Sequence, residues 1–221
     1  MTAKFSDKLH TESASLWQAS EKHPFIQELA SGKLPIDIFR YYLTQDTQYL
    51  KAFNELHAEV AKILPKEQGD LLLHLASSAG EATERNQILD NLDMTFDDIF
   101  KVEMAPTNYA YITHMEHQLN VSPEAAVAGL LPCYWLYAEI ALKWRGQTSP
   151  VPVYQKFFDG YAADNFTGST DELIKMVDNL ADNADDKTRK QMETAFMRSS
   201  HYELAFWQMA YTHQTWDDLG K

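Results

Sequence analysis

Four short segments place reactive or polar side chains where a helical repeat would bury them. In Tyr42-Leu43-Thr44-Gln45-Asp46-Thr47-Gln48-Tyr49, the residues Tyr42, Asp46, Tyr49 and Phe53 follow one another at spacings of four, three and four. On a helix they share one face, and that face is otherwise apolar. A carboxylate there needs hydrogen-bonding partners, or its pKa rises until it is neutral. In Leu130-Leu131-Pro132-Cys133-Tyr134-Trp135-Leu136-Tyr137, the only cysteine of the chain lies one helical turn before Tyr137 and directly after a proline. That proline removes a backbone hydrogen bond and is expected to kink the helix beside the thiol. In Ser199-Ser200-His201-Tyr202-Glu203-Leu204-Ala205-Phe206-Trp207, Glu203 falls on the face of Ser199, Ser200, Phe206 and Trp207. The fourth group is tyrosines: Tyr109 and Tyr111 in one helix, Tyr161 in another.

Each feature has a plain structural explanation as well. Asp46 and Glu203 suit hydrogen-bonded core carboxylates, and Cys133 suits a small buried residue. A thiol acts as a nucleophile when its pKa is lowered or a base adjoins it. Taken together, two buried carboxylates, one thiol and several tyrosines suit a flat, nitrogen-rich, neutral or cationic ligand. Carboxylates accept hydrogen bonds from exocyclic amino groups, and tyrosine rings stack on heterocycles. None of the four segments offers the lysine, arginine or glycine-rich helix start that a phosphate would want.

The elements that must position these groups are helices. Phe5, Leu9, Ser13, Leu16 and Ala19 recur at helical spacing over residues 4–21. Pro35 is placed to start a second helix, whose stripe runs from Ile36 through Phe39, Leu43, Leu50, Leu56 and Val60 to about Leu64, where Pro65 ends it. That helix spans about 45 Å at 1.5 Å per residue. A third is expected over 66–90 with Leu71, Leu72, Leu75 and Ile88 inward, then an acidic turn over 93–101 and a helix from Pro106 to about Asn120. Ser122 and Pro123 cap and open the next, which ends at Trp144 before Gly146. Helices over 152–167, 170–182 and 185–215 complete about eight. No window alternates with a period of two, so the reading is all-α, a single domain over residues 1–221.

Composition fits this. The 221 residues are 45% hydrophobic and 12% aromatic, with only 8 glycines and 8 prolines, which suits long helices around a sizeable core. A net charge of −13 repels phosphate backbones, so nucleic acid is not expected as a partner. One cysteine forms no internal disulfide, and residues 1–13 hold no apolar signal-like run, so the expected location is the cytoplasm. No stretch reaches about 18 consecutive apolar residues, so no membrane span is expected.

Several strings resemble the thiaminase II (TenA) family: HPFIQELASGKLPIDIFRYYLTQD at 23–46, QDTQYL at 45–50, PTNYAYITHM at 106–115, LLPCYWLYAE at 130–139, YQKFFDGYAADNF at 154–166 and SSHYELAFWQMAY at 199–211. The similarity runs in order through nearly the whole chain. It implies a heme-oxygenase-like helical bundle, a homotetramer, and no metal or cofactor. It also implies a hydrolase acting on a small pyrimidine: 4-amino-5-aminomethyl-2-methylpyrimidine in thiamin salvage, with thiamin itself as a second substrate. By the same resemblance Cys133 is the nucleophile, adding to the ring carbon adjacent to the one that bears the substituted methylene. Glu203 bonds a ring nitrogen and supplies a proton, while Asp46 holds the other ring nitrogen or the exocyclic amine. Tyr49, Tyr137 and Tyr161 surround the thiol and Tyr111 stacks on the pyrimidine. The chain departs from the family at GEATERNQIL (residues 80–89), which lacks the histidine relatives often carry there, and the segment after Tyr161 also varies.

Two other readings compete. A metal-dependent oxidase on the same fold needs carboxylate and histidine ligands at helical spacing. His114 and His117 are the nearest such pair, and neither Asp46 nor Glu203 has a histidine three or four residues on. A non-catalytic thiamin or pyrimidine binder has no need of a thiol at the ring, so Cys133 separates that reading from the enzyme.

Overall fold

Proline and short polar side chains set many of the helix boundaries. The structure, a computed structural model, describes residues 4–78, 81–146 and 149–219. Its helices are α1 (Phe5–Glu21), α2 (Pro24–Ser31), α3 (Ile36–Ile63), α4 (Lys66–Ser78), α5 (Glu81–Asn91), α6 (Phe96–Ile99), α7 (Pro106–Gln118), α8 (Pro123–Trp144), α9 (Pro152–Tyr161), α10 (Asp164–Asp182) and α11 (Asp186–Tyr211), followed by a 3₁₀ turn at Trp216–Asp218. No strand occurs among the described residues. Prolines open α2, α7, α8 and α9, where a missing N–H goes unneeded. Side chains of His23, Thr95, Ser122 and Asp185 accept the first free N–H groups of α2, α6, α8 and α11. α2 ends at Gly32 in the left-handed conformation, φ 72°. A Cβ there would lie 2.4 Å from Pro150 Cγ, so only glycine lets the 149–151 segment pack against this corner.

The all-α expectation holds, and several boundaries move. Pro35 sits just before α3 as its N-cap rather than as its first residue. The helix expected over 66–90 is two, α4 and α5, on either side of residues 79–80, which lie outside the described residues; Leu71 faces solvent while Leu72, Leu75 and Ile88 are buried. The 93–101 turn contains α6, and the helix over 152–167 stops at Tyr161, with α10 restarting at Asp164. α2, absent from the sequence reading, is a short amphipathic helix with Phe25, Ile26 and Leu29 buried. The inward stripe of α1 is Ser6, Leu9, Ser13, Trp17 and Ser20, and Ala19 faces solvent, because Trp17 rather than Leu16 fills the contact with Phe196 and Trp135.

α8 is the central element. It packs chiefly on α11 and α10, and every residue from Ala125 to Tyr134 is buried. Among the described residues, α8 is long and apolar enough to cross a membrane by length and composition, yet 83% of its most apolar window is covered by the rest of the fold, which makes it a core helix. Its helix runs without interruption through Pro132, whose missing N–H leaves the Ala128 carbonyl without its usual donor.

The middle of α3 is enclosed as fully. Tyr42 through Leu50 are all buried, so a simple one-sided stripe does not describe it. Two of its polar side chains, Gln45 and Gln48, hold the chain between α6 and α7. Gln45 donates to the Glu103 carbonyl (3.0 Å) and accepts from the Ala105 amide (2.8 Å), and Gln48 donates to the carbonyls of Ile99 and Val102 (2.8 Å each). Asn108 of α7 donates to the Gln45 carbonyl at 2.8 Å. These bonds fix the rotation of α3, and hence the direction of Asp46 and Tyr49.

Candidate active site

Six helices contribute side chains to one buried polar cluster. α3 supplies Tyr42, Asp46 and Tyr49; α7 supplies Tyr111; α8 supplies Cys133 and Tyr137; α9 supplies Tyr161; α11 supplies Glu203; and α5 supplies Arg85. Asp46, Cys133 and Glu203 are 3%, 8% and 2% exposed.

The cluster has two ends. At one, the Tyr49 hydroxyl hydrogen-bonds the Cys133 thiol and reaches the Tyr111 hydroxyl, while Tyr111 donates to Glu203 Oε1 at 2.6 Å. The two tyrosine rings stack with centroids 5.2 Å apart, and Tyr202 stacks on Tyr111 at the same separation. A line of hydrogen-bonding groups thus connects the sulfur to a carboxyl. At the other end, Asp46 forms an ion pair with Arg85, whose Nη2 donates to the Tyr161 hydroxyl at 3.3 Å. The Tyr42 hydroxyl lies within reach of both the Asp46 carboxylate and the Tyr137 hydroxyl, 3.3 Å away. Tyr137 joins the two ends, its ring 4.8 Å from that of Tyr161 and 5.0 Å from that of Trp207.

Burial and charge push the two carboxyls apart in character. Glu203 is raised to about 8, chiefly by burial and further by the negative charge of Asp46, against the pull of the Tyr111 hydrogen bond. It faces no cationic side chain among these partners, so at neutral pH it is mostly a protonated acid. Burial also raises Asp46, but there the Arg85 guanidinium, by charge and hydrogen bond, and Tyr42 oppose it. Burial holds the hydroxyls of Tyr42, Tyr49, Tyr111 and Tyr137 far above the ordinary tyrosine range, so they act as neutral hydrogen-bond donors.

A small cavity of about 30 Å³ opens between α3, α5 and α9, lined by Leu43, Asp46, Arg85, Ile88, Lys156, Phe157, Gly160 and Tyr161. Cys133 and Glu203 are not in its wall, so a ligand resting there meets Asp46 and Tyr161 before the sulfur.

The residues singled out from the sequence (Asp46, Tyr49, Tyr111, Cys133, Tyr137, Tyr161 and Glu203) therefore come together. Tyr109 does not: it is 56% exposed and lies against Trp216. Tyr49 adjoins the thiol, whereas Tyr161 lies at the Asp46 end. The expectation of a site poor in positive charge is corrected by Arg85 and Lys156, which come from segments outside the four chosen. Tyr42 was legible from its place one turn before Asp46. Arg85 was not, because α5 carries little apolar periodicity to tell its inner face from its outer. His114 is engaged elsewhere, its Nε2 lying 3.3 Å from the Ala195 carbonyl oxygen, and His117 is exposed.

The chain as a whole is similar in sequence and fold to known proteins. The aminopyrimidine aminohydrolase of Bacillus subtilis is 34% identical over 97% of this chain and 93% of its own length. The aminopyrimidine aminohydrolase of Halalkalibacterium halodurans is 30% identical over 98% and 99%. Among solved structures, the TenA homologue from P. horikoshii superposes with a TM-score of 0.87 at 28% identity, covering 95% of this chain and 99% of that one. A protein with a heme oxygenase-like fold from Shewanella denitrificans, at 16% identity and a TM-score of 0.73 over 94% of this chain and 92% of that one, shares the fold. Residues 10–213 match the TENA/THI-4/PQQC family, and the chain belongs to that family.

Proposed function

We propose that this hydrolase acts on 4-amino-5-aminomethyl-2-methylpyrimidine, replacing the amine on the methylene with hydroxyl, and also accepts thiamin, releasing its thiazole. The observation that carries the reading is the joined cluster of one thiol and two carboxyls. Cys133 is linked through Tyr49 and Tyr111 to a carboxyl raised to about 8, and Asp46 is close enough to raise that carboxyl further. The curated relatives named aminopyrimidine aminohydrolase support it.

In this scheme Asp46 accepts from the exocyclic amino group and Tyr111 and Tyr137 bound the ring. Cys133 Sγ adds to the ring carbon adjacent to the one bearing the substituted methylene, and its proton leaves through Tyr49. Protonated Glu203 donates to the ring nitrogen, taking up the electron pair that the addition displaces. The ring pair then expels the amine, which departs with a proton as ammonia. Water adds to the exocyclic methylene carbon, the sulfur leaves, and Glu203 and Cys133 recover their protons. The sum is amine plus water giving alcohol plus ammonia. Dividing one displacement into two easier steps is what a thiol at this place accomplishes.

The test is Cys133→Ser, a near-isosteric change. It retains pyrimidine affinity and loses turnover by at least roughly 10³-fold. Full hydrolysis by the serine variant would overturn covalent catalysis here, and kcat/KM for both substrates under one set of conditions ranks amine against thiazole. We further propose a cytoplasmic homotetramer. Phe96, Phe100, Val102, Tyr109, Trp216 and Leu219 are each at least 40% exposed, an apolar supply for such an assembly. Sedimentation showing a monomer at micromolar concentration refutes the tetramer.

A further inference from the structure

Arg85 is the one described cation in contact with a carboxyl of the cluster. Its side chain is 10% exposed and that of Asp46 4%, so the pair is shielded from water. The guanidinium spans the three helices that wall the cavity: it is carried by α5, pairs with Asp46 on α3, and donates to Tyr161 on α9. All three side chains line that cavity. A carboxylate has about four acceptor positions, and Arg85 and Tyr42 use two, which leaves capacity for a ligand N–H.

We infer that Arg85 is a positioning residue: it keeps Asp46 a carboxylate turned to the cavity and anchors the Tyr161 hydroxyl, so that Asp46 accepts the N–H of a ring-bound amino group. This rests on the reading of Asp46 as the carboxylate that binds the aminopyrimidine. The physical need is plain. A carboxylate this buried loses most of its hydration, and without a paired cation it takes up a proton and ceases to be a pure acceptor. The other described titratable groups facing Asp46 do not supply that charge. Tyr42 and Tyr137 are neutral hydroxyls, the Tyr161 hydroxyl accepts from Arg85, Glu203 is a second acid, and Lys156, across the cavity on α9, hydrogen-bonds Gln87 at 3.5 Å. A cation at this place is also selective, since it leaves the cavity's inner end neutral overall rather than anionic.

The experiment compares wild type with Arg85→Gln, which keeps hydrogen-bonding groups but no charge, and Arg85→Lys, which keeps the charge. The Asp46 carboxyl is followed by ¹³C NMR, assigned with Asp46→Asn, and binding of 4-amino-5-hydroxymethyl-2-methylpyrimidine is measured across pH. The glutamine variant raises the Asp46 titration by about one to three pH units. Its binding is weakened about tenfold or more below that new value and recovers above it, and the lysine variant returns the titration toward wild type. The inference is overturned if Asp46 titrates at the same pH in all three proteins. It is equally overturned if the glutamine variant binds worse by one constant factor at every pH, which is what a merely structural arginine would give. Absence of aminopyrimidine hydrolysis by wild type overturns the functional reading alone, because the Asp46 titration needs no turnover.

Discussion

Replacing Tyr111 with phenylalanine removes one hydroxyl and tests the protonation assigned to Glu203. Tyr111 donates to Glu203 Oε1 at 2.6 Å, and both groups are buried, at 0% and 2% exposure. A hydrogen bond to an ionised partner contributes about 1.5–3 kcal/mol, and one to a neutral partner about 0.5–1.5. The difference, roughly 1–1.5 kcal/mol, is the extent to which the hydroxyl favours the carboxylate over the acid. Dividing by about 1.4 kcal/mol per unit gives a shift of about one pKa unit. The direction is upward, since losing the donor disfavours the charged form, and the Tyr111 hydrogen bond is the influence that pulls Glu203 down toward about 8. If Glu203 must be protonated to deliver its proton, kcat/KM falls on the alkaline side through about 8 in wild type. In Tyr111→Phe that limb moves to roughly 9. The ring itself stays, stacked on Tyr49 and Tyr202, so folding is little disturbed. The assay is kcat/KM for the aminopyrimidine from pH 6 to 10, with Glu203→Gln as the control that abolishes the limb. An alkaline limb that stays in place, or moves down, refutes the assignment of Glu203 as the acid.

The same carboxyl makes a stability prediction. Its folded pKa of about 8 lies above its ordinary 4.5, so folding takes up a proton between those values. The contribution is fully present below about 4.5, declines by up to about 1.4 kcal/mol per pH unit above it, and is flat beyond about 8. Comparing melting temperatures of wild type and Glu203→Gln from pH 5 to 9 isolates it: the glutamine variant gains relative stability as pH rises, and a constant difference sinks the claim. At the α2 corner, Gly32→Ala forces a side chain into φ 72° and against Pro150. It costs roughly 1–2 kcal/mol for the backbone and about 1–3 for the clash, read as a lowered denaturation midpoint. An unchanged midpoint refutes the close packing of that corner.

How much of this was legible depended on where the information resides. Long helices announce themselves by apolar spacing, and α1, α3, α7 and α8 fall close to their expected bounds. α3 and α8 also reveal the limit of that signal. Where a helix is surrounded, its pattern stops alternating, so α8 reads as evenly apolar and the middle of α3 as wrongly polar. The polar run of α3 makes sense once Gln45 and Gln48 are seen holding the backbone of 99–105, a non-local partnership that no spacing encodes. The break between α9 and α10 at 162–163 was missed because Ala162 and Ala163 are good helix residues. The site residues were found because carboxylates and a thiol on apolar faces are conspicuous. Arg85 escaped for the converse reason: an arginine on a polar helix looks like surface.

That omission changes the electrostatics of the site. Without Arg85 the sequence describes two buried acids in competition, each raising the pKa of the other and neither distinguishable as proton donor or acceptor. With Arg85 against Asp46 and only a tyrosine hydroxyl against Glu203, the symmetry is broken. The member with the cation is held toward the charged form, and its charge then raises the member without one. A pair of like groups whose surroundings drive them apart in this way is suited to different tasks: one to accept a hydrogen bond from a ligand, the other to give up a proton. The assignment of roles to Asp46 and Glu203 thus follows from the position of a third residue that takes no part in the chemistry. It also predicts coupling: neutralising Asp46 with Asp46→Asn should lower the Glu203 pKa, so the alkaline limb shifts down even though the proton donor itself is untouched.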